Sequence, residues 1–152
     1  MAERNGHYYH IIARGREEQR LFESGLDYRF YLNLLKKYKK RFSISIHGFC
    51  LMPDYVSFIV RCGLSRSLFD FLQRINRSYT VYFNTKYKRS GRLWREHVRS
   101  ILLKEEDVWD GLKAIEFGPV RLGITDSPVH YSWSSCRRRI LRNRNGVLDP
   151  LM

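Results

Sequence analysis

Apolar positions along this chain recur with two periods, and each change of period marks a new element. Residues 8–14, Tyr-Tyr-His-Ile-Ile-Ala-Arg, are mostly aromatic or β-branched, which predicts a strand that Gly15 breaks. Leu26, Phe30, Leu34 and Tyr38 then recur at i+4 with Tyr31 and Leu35 beside them, the spacing of an amphipathic helix, and Ser24-x-x-Asp27 has the form of a capping box at its start. Lys36, Lys37, Lys39, Lys40 and Arg41 crowd its far end, where cations meet the negative end of the helix dipole; a solvated face explains them as well as DNA binding does. Strand-like composition returns in residues 43–52 and 55–62, joined through Pro53-Asp54, which predicts a hairpin.

A second box, Ser67-x-x-Asp70, opens a helix expected to run to about residue 85. Leu68, Leu72, Ile75, Tyr79 and Tyr82 or Phe83 lie along one side, with Arg66, Asp70, Arg74 and Arg77 along another. After a basic loop at residues 86–91, residues 97–103 read as a strand. Glu105, Glu106 and Asp107 suit the first turn of a third helix reaching Phe117, where Gly118-Pro119 should stop it; a short final helix is expected near 132–141. A hairpin between two helices, with a strand on either side, predicts an α+β ferredoxin-like sandwich: one mainly antiparallel sheet of four to five strands covered by helices. No repeat or linker divides the sequence, so residues 1–136 read as a single domain followed by a basic C-terminal tail, 137–152.

Composition narrows what such a domain can do. With 43% hydrophobic and 14% aromatic residues in 152, there is material for one sizeable core. Against 28 Lys and Arg stand 15 Asp and Glu, a formal +13 that favours a polyanionic partner over an acidic protein ligand. No window approaches the roughly 20 apolar residues a bilayer demands, and the basic residues come without an amphipathic membrane anchor. The first ten residues lack the apolar run of a secretory signal, and Cys50, Cys62 and Cys136 form no C-x-x-C pair, so they are expected to be reduced thiols in a cytoplasmic protein, with Cys50 and Cys62 packed in strands. Three scattered Cys and five scattered His lack zinc-site spacing. His10 and His47, on strands, are expected to be hydrogen-bonded rather than ligating.

The charge has a local focus. Lys86, Lys88, Arg89, Arg92, Arg95, Arg99 and Lys104 face Glu96 alone, and Trp94 sits between Arg92 and Arg95. Guanidinium groups grip phosphates bidentately and an indole can stack on an unpaired base; the competing reading is that Leu93-Trp94 anchors the loop to the core with the arginines solvated outside. Arg137, Arg138, Arg139, Arg142 and Arg144 make the tail a second candidate, a basic arm adding affinity through counterion release.

Period-two geometry puts Tyr55 and Ser57 on one face of their strand and Val56, Phe58 and Val60 on the other. The surrounding string, Leu51-Met52-Pro53-Asp54-Tyr55-Val56-Ser57-Phe58-Ile59-Val60, resembles the metal-binding strand of the HUH single-strand transposases, and most that of their REP-associated tyrosine transposase branch, where it carries His-hydrophobic-His. Arg14-Gly15, Leu21-Phe22, Phe83-Asn84, Arg89-Ser90-Gly91-Arg92-Leu93-Trp94, Gly118-Pro119-Val120-Arg121-Leu122-Gly123 and Tyr131-Ser132-Trp133-Ser134-Ser135 keep the family's order from residue 7 to about 136.

The resemblance implies an enzyme that cuts single-stranded DNA with a helical tyrosine, forming a 5′-phosphotyrosine link while two histidines hold a divalent metal such as magnesium or manganese on the scissile phosphate. Here the histidine positions fall on Tyr55 and Ser57, and the nucleophile position on Ala114. An ordinary tyrosine stays protonated near pH 7, a neutral serine hydroxyl is a poor ligand, and alanine has no nucleophilic atom; Asp54 alone does not rebuild a site. No cofactor is therefore expected. Tyr55, Tyr79 and Tyr131 could be substitute nucleophiles, but none has a visible activator, and Tyr79 fits the core. Arg14 and Arg16 match the family's Arg-Gly element and are further DNA contacts.

The resulting expectation is a DNA-binding homologue without catalysis, taking single-stranded or hairpin DNA and no membrane, with homodimerisation left open. The alternatives are an active metal-dependent nickase or transposase with a rearranged site, and an RNA-binding module using exposed sheet aromatics as a stacking platform.

Overall fold

The two central strands carry apolar residues on both faces, so they need cover on both sides, and the chain supplies it. The computed structural model describes residues 6–140 and 146–151. Strands β1 (His7–Arg14), β2 (Ser45–Leu51), β3 (Tyr55–Cys62) and β4 (Arg99–Leu103) form one four-stranded sheet in the order β2-β3-β1-β4. Every pairing is antiparallel. Helix α1 (Gly25–Lys39) joins β1 to β2 and α2 (Ser65–Tyr87) joins β3 to β4, the ferredoxin-like order expected above.

On one face Ile11 and Ala13 stand opposite Phe58 and Val56, and with Val60 they meet Tyr31 and Leu35 of α1 and Phe71, Ile75 and Tyr79 of α2 in the main core. On the other face Tyr8 and Ile59 meet Val108, Leu112 and Ile115 of α3 (Val108–Glu116). Gly48 lets that helix approach, because a Cβ there would collide with the Leu112 side chain. A four-residue turn of helix, α4 (Gly118–Arg121), and a short helix α5 (Ser135–Ile140) complete this layer. Glu116 accepts hydrogen bonds from Ser135 Oγ and the Arg139 guanidinium, tying α3 to α5.

Asp27, wholly buried at the first turn of α1, binds that helix to the end of α2. Its carboxylate accepts from the Glu23 and Ser24 backbone N–H groups, from the Tyr82 and Tyr87 hydroxyls and from Lys86 Nζ at 2.8 Å. Burial pushes its pKa up, but the Lys86 ammonium and the two hydroxyls outweigh that and hold it at about 2.

The elements depart from the sequence pattern where tertiary packing intervenes. Helix α2 starts at Ser65, with Ser67 and Asp70 inside it, because the helix begins directly after the strand and Leu64 accepts the first backbone bonds. Leu26 is 62% exposed, since the inward position of that turn belongs to Asp27. Gly118-Pro119 ends α3 but opens α4, where proline needs no N–H partner. The final helix begins at Ser135 and is described to Ile140, so it runs across the boundary expected at residue 136.

Past that helix, the tail returns to the body. Val147 lies in the main core, and Asp149 pairs with Ile46 in both directions, its N–H donating to Ile46 O and its carboxylate accepting from Ile46 N–H. Lys39 Nζ reaches Asp149 Oδ1 at 2.8 Å. Residues 147–149 thus cover the outer edge of β2, which would otherwise present unpaired backbone groups. Arg142 and Arg144 lie outside the described residues. Among those described, no helix is long and apolar enough to cross a membrane.

Candidate nucleic-acid interface

Tyr55 and Ser57 share the α3 side of β3, as the alternation predicts. Ser57 is buried between its cross-strand neighbours Ile12 and Cys50. Tyr55 is half-buried against the cluster of Cys50, Met52 and Tyr131. Its hydroxyl points at the start of α4: a Cβ built on Gly118 would stand 3.4 Å from it and 3.7 Å from Arg121 Nη2. Arg121 Nη1 in turn donates to the Ala114 carbonyl at 3.2 Å, so Tyr55 reaches the helical segment that carries residue 114. Ala114 itself is exposed.

This neighbourhood does not suit a divalent cation. Burial raises the Tyr55 pKa, keeping it a neutral phenol, while Arg121 and Arg14 act in the opposite sense. The Arg14 guanidinium lies 4.9 Å from the Tyr55 ring centroid. Two hydroxyls beside two fixed positive charges make a poor ligand set, and among the described residues no three His, Cys, Asp or Glu side chains come together as a metal site. His10 and His47 stay neutral through burial; His47 Nδ1 meets the Asp149 carbonyl at 3.0 Å, whereas the buried Nε2 atoms of both rings have no hydrogen-bond partner, so only part of the hydrogen bonding expected of these rings is met.

The two other candidate tyrosines, Tyr79 and Tyr131, offer no activated hydroxyl. Tyr79 donates to Leu21 O at 2.5 Å and Tyr131 to Leu51 O at 2.6 Å, and burial raises both pKa values far above the ordinary range. Of the sheet's aromatics, Tyr8, Phe49 and Phe58 are buried, and Tyr9 and Tyr55 are half-buried against the flanking clusters, so no open row of rings faces solvent among the described residues.

The basic segment is built onto the end of β1. Gly15 bridges Trp94, Arg16 N–H donates to Leu93 O, and Arg95 N–H donates to Arg14 O. A side chain at 15 would collide with the Gln19 carbonyl in the turn that follows, which gives the Arg14-Gly15 pair its physical reason. Leu93 is buried, and Trp94 is half-buried with its ring 5.9 Å from Tyr31 and 6.3 Å from Tyr79 and its Nε1 donating to Asn76 O at 3.2 Å. Trp94 therefore holds the loop to the core while staying part-exposed. Trp94→Ala should cost about 3 kcal/mol in chemical denaturation, and Trp94→Phe less, because the ring stays and one hydrogen bond goes.

The cations divide by what they touch. Arg89 donates to Asn84 Oδ1 and Arg92 O and lies over Phe83, closing the turn after α2, so it is spent on structure. Lys88 is exposed in the left-handed cap of α2. Arg92, Arg95 and Arg16 are exposed around a recess floored by Trp94, next to a larger groove of about 820 Å³ whose other wall is α2, with Asn76, Arg77 and Thr80. Arg99 is exposed on β4, opposite Ile12. Of the tail residues, Arg137 is exposed, but Arg139 is paired with Glu116 and Arg138 lies over Phe49, its pKa lowered by burial, so these two belong to the fold and not to a free arm. Arg121 and Arg77 were not singled out as contacts by the sequence; what brings them in is their position, beside Tyr55 and along the groove wall.

Three comparisons bear on this arrangement. The family model described as "Transposase IS200 like" matches residues 3–100. A solved REP-associated tyrosine transposase bound to a REP hairpin superposes with a TM-score of 0.77 at 13% identity, covering 97% of this chain and 87% of that one. A candidate transposase of Deinococcus radiodurans R1 superposes with a TM-score of 0.53 at 14% identity over 73% of this chain and 89% of its own. No curated protein matches the chain in sequence.

Proposed function

The chain belongs to the IS200-like transposase family, and from that premise we propose that it binds single-stranded or hairpin DNA without cutting it. The observation that carries the reading is the content of the catalytic positions: a protonated phenol at Tyr55, a buried hydroxyl at Ser57 and a methyl at Ala114. Strand cleavage through a phosphotyrosine needs a nucleophilic oxygen and a polarised phosphate, and these three side chains supply neither. Binding needs only accessible positive charge, and Arg14, Arg16, Lys88, Arg92, Arg95 and Arg99 remain exposed. The fold it shares with the hairpin-bound relative supports DNA as the partner. A cytoplasmic location accords with three free cysteines.

The test is a competition between matched DNA and RNA hairpins at several salt concentrations. We expect DNA to win or tie, with affinity falling linearly in log salt. An RNA preference would defeat the reading, since 2′-hydroxyl contacts would then contribute to binding.

A further inference from the structure

In the family's chemistry a metal on the β3 side chains neutralises a phosphate, and here that place holds positive charge of another kind. We propose that Arg14 and Arg121, flanking Tyr55, hold a backbone phosphate of the bound strand directly, with no metal ion. The inference rests on the DNA-binding reading and assigns it a subsite. Arg14 is the cross-strand partner of Tyr55, its guanidinium 4.9 Å from the ring centroid. The Tyr55 hydroxyl and Arg121 Nη2 both lie beside Gly118, at 3.4 and 3.7 Å from where a Cβ on it would sit, so the guanidinium stands next to the hydroxyl end of Tyr55 as Arg14 stands over its ring.

Both arginines are exposed, and neither forms an ion pair among the described residues. Arg121 gives one N–H to Ala114 O, and its remaining donors are free to form a fork. Elsewhere the buried Lys39 and the part-buried Arg139 are each paired with a carboxylate. The carboxylate felt at Tyr55 is that of its chain neighbour Asp54, against two guanidinium groups.

A phosphate approaching the exposed edge of Tyr55 meets two planar cations, which grip its two non-bridging oxygens, and a phenol O–H that can share one of them. The wall of Cys50, Met52 and Tyr131 excludes water on one side, which strengthens those bonds. Arg95 N–H is bonded to Arg14 O, which sets the backbone of the Trp94 segment beside that of Arg14. With Ala114 in the nucleophile position, nothing attacks the phosphate held there.

The experiment is fluorescence anisotropy of the full chain with a labelled single-stranded oligonucleotide in EDTA, then in magnesium, across a salt series. Arg14→Gln and Arg121→Gln are each expected to weaken binding on the order of tenfold and to flatten the log–log salt slope by about 0.7, the value for one single-strand phosphate contact. Arg121→Lys should fall between Arg121→Gln and the parent, keeping charge without the fork, and it serves if the Gln variant does not fold. EDTA should leave parent binding unchanged, and magnesium should weaken it as a competing counterion. The subsite is overturned if both Gln variants bind like the parent, if EDTA abolishes binding, or if Lys37→Gln, across the sheet on α1, costs as much. If the parent binds no oligonucleotide even at low salt, the DNA-binding reading falls as well.

Discussion

Asp27→Ala is expected to lower the unfolding free energy by about 2 to 3 kcal/mol, a sizeable share of what a domain of this size possesses. The substitution leaves two backbone N–H groups and two tyrosine hydroxyls, all part-buried, without their common acceptor, while the Lys86 ammonium, which is exposed, turns to water. Urea denaturation of both proteins measures it; a loss under about 1 kcal/mol would mean that α1 and α2 are joined by their apolar faces alone. The same carboxylate gives stability a pH dependence of known sign. Its folded pKa, about 2, is below its unfolded value, so its contribution is complete above the unfolded pKa near 4 and is lost as pH falls toward 2. Over that window the parent should lose stability more steeply than Asp27→Asn, which has no proton to take up.

The largest functional effect is expected from Arg16→Gln, Arg92→Gln and Arg95→Gln together. Removing them should weaken single-strand or hairpin binding by more than about a hundredfold at low salt and flatten the salt slope by about 2, while the melting temperature stays within a few degrees. Their ion pairs, Arg16–Glu17 at 3.9 Å and Arg92–Glu96 at 4.0 Å, are open to solvent and hold little. Arg89→Gln supplies the contrast. Its guanidinium closes the turn after α2, so that variant should lose stability first and affinity only as a consequence. Equal loss of affinity in both variants, with stability unchanged, would mean that the division of the cations is wrong.

These two regions differ in how far the sequence alone discloses them. Strand β3 occupies Tyr55–Cys62, the span its pattern predicts, and strand alternation puts Tyr55 and Ser57 on one face with Val56, Phe58 and Val60 on the other. The hub at Asp27 is half legible. The capping-box spacing points to the two backbone donors, but Tyr82, Lys86 and Tyr87 come from the far end of another helix, and nothing local announces them. Ser67-x-x-Asp70 imitates the same box without capping anything, since the short turn from β3 has already started the helix.

Trp94 and the Arg137–Arg139 run show the other limit. Charge and aromatic content make both look like open binding surface. Whether an indole faces solvent or Asn76, and whether an arginine reaches water or Glu116, depends on contacts between residues distant in the chain. Period and spacing can place a side chain on a face, but tertiary packing decides how much of it is left to meet a ligand.

The central claim is that this protein grips DNA but has no means of cutting it. The most direct measurement incubates the parent protein with a hairpin carrying a single-stranded flank in magnesium or manganese and resolves the products on a denaturing gel beside a native one. A shifted complex is expected on the native gel, with the strand intact and free of protein on the denaturing gel. A cleaved strand with protein covalently attached through a tyrosine would contradict it.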